Sequence, residues 1–168
     1  VELSVREREE DAAVQPRIVA AEFTDAGSRL LTLSTTGRIS SWASSTGQIQ
    51  YTIDVDGAFQ EFAGSWVGLP QHLAVSADGS RAAVTYSGCF CLVDLAGGGE
   101  PVWVSSVGDS IAEVVFAPNM GRLATADRSG GIRLWDTTTG TMVLEAPGAG
   151  ESSRQIEFSP DGTRLMTL

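Results

Sequence analysis

One imidazole, two cysteines and a scatter of carboxylates are what this 168-residue chain offers to chemistry. His72, in "LPQHLAVSADG", is the sole imidazole and so the only histidine that could serve as a general base near neutral pH. It falls inside an apolar run read as a strand, which points to a structural role. Cys89 and Cys91, in "GCFCLV", would share one face of a strand with α-carbons about 6.5–7 Å apart, too far for an unstrained disulfide. A metal site there would need further ligands, and His72 belongs to a different predicted strand. Both cysteines are therefore expected to be small buried hydrophobes. "DVDG", Asp54 to Gly57, has part of the pattern of a calcium loop but lacks the third acidic ligand and the distal glutamate, which leaves a solvated turn. Glu7, Glu9, Glu10 and Asp11 alternate with Arg6 and Arg8, as in a hydrated linker rather than an acid–base pair. The nucleophile elbow G-x-S-x-G, a phosphate-binding P-loop and the zinc motif H-E-x-x-H are all missing from the sequence. The expectation is no catalytic, cofactor-binding or metal-binding residue.

Charge narrows the partners. The formal net charge is −10, whereas nucleic-acid binding leaves a basic footprint that neutralises phosphates. Anionic membrane surfaces are disfavoured for the same reason. No apolar run reaches the roughly 18 residues of a membrane span, and "VELSVREREE" lacks the order of a signal peptide, so a cytoplasmic location is expected. All 11 basic residues are Arg, which with abundant Ala and Gly suits a GC-rich bacterial genome.

The elements that would position any site come from internal repetition. Starting at Phe23, Val75, Phe116 and Phe158, the chain reads "FTDAGSRL", "VSADGSRA", "FAPNMGRL" and "FSPDGTRL". Each anchor lies seven residues before an apolar position: Leu30, Ala82, Leu123 and Leu165. Pro-Asp-Gly, Ala-Asp-Gly and their variants supply the preset φ and the φ > 0 position of a tight turn, so the unit opens as strand, turn, strand. Trp42, Val93 and Trp135 follow their anchors by 19, 18 and 19 residues, and each precedes by five a glycine: Gly47, Gly98 and Gly140. "TTGR", "YSGC" and "RSGG" form another turn between, and "QIQYTIDV", "PVWVSSV" and "TMVLEA" resume the apolar and β-branched pattern. Each unit thus holds four short strands. Anchor spacings of 52, 41 and 42 residues match one four-stranded antiparallel blade of a β-propeller.

The stretch "FAPNMGRLATADRSGGIRLWDTTTG" resembles a WD40 repeat, with Trp135 and Asp136 in the place of the signature pair and "FSPDGTRL" matching the opening. The resemblance covers about residues 18–168. Trp42 is followed by Ala43, and Val93 with Asp94 keeps only the aspartate. The family's Gly-His pair is missing, with Trp66 and Val107 near those places, and Thr36, Ser87 and Ser129 stand where the family prefers aspartate. The resemblance then implies that the family's buried Asp-His-Ser/Thr-Trp network forms only in part, leaving apolar stacking to hold divergent blades together. A single blade exposes two apolar faces and needs neighbours, so Trp42, Trp135, Phe23, Phe116, Phe158, Ile132 and Leu134 are core candidates.

The resulting fold is all-β: a segment of a WD40-like propeller of about three and a half blades, with repeats near 18–55, 67–106, 109–146 and 152–168. Residues 1–17 form a charged linker or edge strand. The fourth unit opens and stops at Leu168, so the expectation is a piece of a longer protein, completed by further blades from the parent chain or by a second copy. The link between the first two units is about ten residues longer than the next and carries "GAFQEFAGSWVGLP", whose Phe59, Phe62 and Trp66 stand out in an aromatic-poor chain. Insertions in repeat folds gather on one face, and aromatic residues dominate interface hot spots. These three form either a partner-binding patch or a cap on the chain's own blades. The function implied is a non-catalytic protein–protein interaction scaffold or sensor module; in bacteria the resemblance implies settings such as signalling kinases or switch ATPases that carry propellers. The alternative is a hydrolase or lactonase-like propeller with a metal on its axis.

Overall fold

In a computed structural model of the chain, residues 16–55, 68–96, 99–105, 110–119, 121–147 and 155–167 are described. They are all-β apart from one short 3-10 turn at Asp25–Gly27. The first sheet contains β1 (Ile18–Thr24), β2 (Arg29–Ser34), β3 (Arg38–Ala43) and β4 (Gln48–Asp54). The second contains β5 (His72–Val75), β6 (Arg81–Thr85), β7 (Cys89–Asp94) and β8 (Val102–Ser105). The third contains β9 (Ile111–Phe116), β10 (Arg122–Asp127), β11 (Ile132–Asp136) and β12 (Met142–Ala146), and β13 (Ile156–Phe158) pairs with β14 (Leu165–Thr167) in a fourth. Every pairing is antiparallel between consecutive strands, and the first strands of successive sheets lie side by side. The arrangement is β-propeller-like.

The turns form because their polar side chains do locally what a backbone ladder cannot. In "SADGSR" the Asp78 carboxylate accepts from the Ser76 hydroxyl at 2.7 Å, the Ser80 amide at 3.0 Å and the Ser80 hydroxyl at 2.8 Å. The same device recurs in "SPDGTR", where Asp161 accepts from Ser159, the Thr163 amide and the Thr163 hydroxyl. Gly79 adopts φ +67, and a Cβ there would lie 2.7 Å from the Arg29 guanidinium and 2.8 Å from the Asp25 carboxylate. The glycine thus serves the turn and the close approach of the preceding sheet together.

Alternation along each strand gives every sheet two faces, and the second and third sheets turn theirs toward different neighbours. Leu31, Leu33 and Ile39 of the first sheet pack on Ala82, Val84, Cys89, Cys91 and Val93 of the second. The second sheet's other face, with Ala83, Phe90, Leu92 and Val104, packs on Val114, Phe116, Leu123 and Trp135 of the third. Ala124 and Ala126 then meet Ile156, with Phe158 and Leu165 against them. Cys89 and Cys91 are both buried, and burial pushes the Cys89 thiol up to about 11.

One core candidate departs from expectation. Phe23 is 66% exposed, whereas Phe116, at the corresponding place in the third sheet, is 7% exposed. Phe23 lies on the face of the first sheet that points away from the second, and no described sheet covers it. Trp42, on the same face, is only half-buried, while Phe158, Ile132 and Leu134 are partly buried.

Candidate functional site

Some of the residues singled out from the sequence have a place among the described residues and others do not. Phe59, Phe62 and Trp66 lie outside the described residues, as do Glu7, Glu9, Glu10 and Asp11. Trp42 and Trp135 occupy the third strands of their sheets, and each indole N–H donates to a threonine on the neighbouring strand: Thr32 at 2.9 Å and Thr125 at 2.9 Å. In the second sheet the same places hold Val93 and Val84, both buried. Both partners of the polar pair have become apolar together, which avoids an orphaned donor or acceptor.

Asp94 and Asp136 end their strands as turn caps. Asp94 accepts from the Ala96 amide at 2.8 Å, and Asp136 accepts from the amides of Thr138 at 2.9 Å and Thr139 at 3.0 Å. The Thr139 and Thr138 amides hold the Asp136 carboxyl below its ordinary range. Its other oxygen pairs with Arg122 at 2.8 Å.

The most buried charges were not legible as a site. Asp127, at the end of β10, accepts from the Ser129 amide and hydroxyl, the Gly131 amide at 2.7 Å and Arg133 at 2.8 Å. Arg133 also reaches Glu145 at 2.9 Å, and the Asp127 and Arg133 side chains are 3% and 9% exposed. Burial works to raise the Asp127 carboxyl, but the bonds from Ser129, Gly131 and Arg133 outweigh it and hold the group below its usual value. Ser129 lies in the turn that follows, and Asp127 supplies the carboxylate from the strand end.

Arginines tie neighbouring sheets together. Arg29 donates to the Gly79 carbonyl at 2.8 Å, and Arg81 donates to the Thr137 carbonyl at 2.6 Å. The signal was present in sequence as an arginine in each anchor motif, Arg29, Arg81, Arg122 and Arg164, of which Arg122 pairs within its own sheet. Glu113 performs a similar task by accepting the Ile156 amide at 2.7 Å, which binds β13 to the third sheet. Burial raises the Glu113 carboxyl, the Ile156 bond opposes that rise, and the nearby Glu157 charge adds to it.

His72 begins β5, and its backbone amide donates to the Thr85 hydroxyl at 3.2 Å. Burial, followed by the Arg128 charge, lowers the imidazole from 6.5. A base depressed in the folded state adds stability above its unfolded pKa, and that stability is lost as pH falls from there through the folded value. The thermal midpoint is therefore expected to fall between about pH 7 and pH 5 more steeply in the native sequence than in His72→Gln. Parallel profiles for the two proteins would refute this.

Among the described residues, no three His, Cys, Asp or Glu side chains come together to hold a metal ion, and no helix is long and apolar enough to cross a membrane. A partly exposed apolar row crosses the first sheet. Phe23 pairs with Leu30, Leu30 with Trp42 and Trp42 with Ile49, so all four side chains share one face. Beside it, Ile18, Ser34, Thr36, Arg38, Ser40 and Asp54 line an open hollow of about 470 Å³.

No family model matches the chain, and no curated protein does. Among solved structures, hydrazine synthase from Kuenenia stuttgartiensis is similar, with a TM-score of 0.71 and 20% sequence identity. The similarity covers 95% of this chain and 45% of that one, so the chain spans less than half the length of the solved chain it matches. At this identity the likeness concerns the fold alone.

Proposed function

We propose that the chain is a non-catalytic protein–protein interaction scaffold or sensor module: a WD-repeat propeller segment of about three and a half blades within a larger bacterial, cytoplasmic signalling protein. The observation that carries the reading is the use to which its polar side chains are put. Asp78, Asp94, Asp127, Asp136 and Asp161 each accept bonds from their own turns, and Arg29 and Arg81 hold one sheet to the next. Such side chains build a rigid frame and leave recognition to the loops the frame displays.

The contact surface on this reading is the linker carrying Phe59, Phe62 and Trp66, between the first and second sheets. Replacing all three by Ser is expected to abolish capture of the partner while changing stability by no more than about 1 kcal/mol, as surface substitutions do. Affinity capture with the native and triple-variant proteins, followed by mass spectrometry of what is retained, tests this beside a melting curve. A large loss of melting temperature would make the linker a cap on the chain's own sheets. A stoichiometric metal in the purified protein, together with hydrolytic turnover, would replace the scaffold by the propeller-hydrolase alternative.

A further inference from the structure

The row Phe23–Leu30–Trp42–Ile49 has a counterpart whose surroundings are known. In the third sheet Phe116 pairs with Leu123, Leu123 with Trp135 and Trp135 with Met142, which is the same row on the same face. There Phe116, Leu123 and Trp135 are 7%, 0% and 3% exposed because the second sheet lies over them. In the second sheet the row Val75–Ala82–Val93 is covered by the first sheet, and in the fourth Phe158 and Leu165 face the third. One stacking rule holds at all three junctions: this row is always seated on the sheet that comes before. In the first sheet, Phe23 and Ile49 are 66% and 53% exposed.

We infer that this open face is the seat of one more four-stranded blade, ahead of β1 in the ring, presenting an aliphatic and aromatic face like that of Ala83, Phe90, Leu92 and Val104. The occupant follows from the chain's own junctions, since the Phe–Leu–Trp row of the third sheet, in this register, meets such a face. Apolar side chains this large, aligned on one sheet face, are what a neighbouring sheet buries. The hollow lined by Ile18, Ser34 and Ser40 continues the same face and would be closed by the same blade. The inference rests on the propeller reading but not on the Phe59–Trp66 linker binding anything, so failure of partner capture leaves it standing.

Hydroxyl-radical footprinting of the native protein at its natural length tests it, with side-chain modification read by mass spectrometry and mass read by light scattering. Phe23 is expected to be modified at least tenfold more slowly than in the denatured protein, matching Phe116, while Val143 stays reactive. In parallel, Phe23→Asp is expected to lower the melting temperature about as much as Phe116→Asp. Rapid modification of Phe23, or a Phe23→Asp variant that melts like the native protein, would overturn the inference. Protection of Phe23 seen only in a species of twice the monomer mass would assign the face to a second copy and overturn it as well.

Discussion

Truncating Trp135 to Ala is expected to cost about 3–5 kcal/mol, the range for removing a large ring from a packed core. The indole is 3% exposed, meets the Phe90 ring edge-on at 5.1 Å between centroids and donates to Thr125. Its loss opens a cavity between the second and third sheets and strands the Thr125 hydroxyl. Trp42→Ala, in the equivalent place, is expected to cost about 1–2 kcal/mol in the 168-residue chain alone, where its outer face meets water, and about as much as Trp135→Ala in the protein at its natural length, where the inferred blade covers that face. Urea midpoints at unchanged slope provide the comparison. Equal losses for the two tryptophans would mean that the first sheet is covered as the third is.

Asp127→Ala is the second large effect, expected at about 3–5 kcal/mol, since it leaves the Arg133 charge in the interior with its closest partner removed. Glu145 remains within 2.9 Å of Arg133 but is 49% exposed, so water shares that contact. The amides of Ser129 and Gly131 lose their acceptor at the same time. Asp127→Ala combined with Arg133→Leu should recover part of the loss by removing the stranded charge. A single variant within about 1 kcal/mol of the native protein, the size of an ordinary surface change, would show that the pair is not held in the interior. The carboxyl is depressed in the folded state, so its contribution is present above the ordinary aspartate value of 3.8 and disappears as pH falls through the folded value.

The strands, the turns and their order could be read before any coordinates, because each depends on residues close together in the chain. Alternation has a period of two, and a tight turn is decided within four residues, so "SADGSR" and "SPDGTR" carry their own instructions. Trp42 and Trp135 were legible as equivalent for the same reason, and the threonines ten residues before each complete a pair that a closer reading of spacing finds. Local pattern also assigns Phe23, Leu30 and Trp42 to one face of a sheet.

What covers that face is a question for other parts of the chain, and there the tertiary structure decided. Phe23 and Phe116 share a motif position and an apolar character, yet one is exposed and the other buried, because burial is set by the sheet that stacks next to them. Arg29 and Arg81 find their carbonyl acceptors 50 and 56 residues away, a separation at which local sequence no longer specifies the contact. Asp127 was invisible for a related reason. A carboxylate at a strand end reads as a turn residue, and only the folded structure shows it to be a buried counter-ion for Arg133. Short-range sterics and hydrogen bonding write the blades into the sequence; the desolvation that ranks their residues depends on which sheets meet.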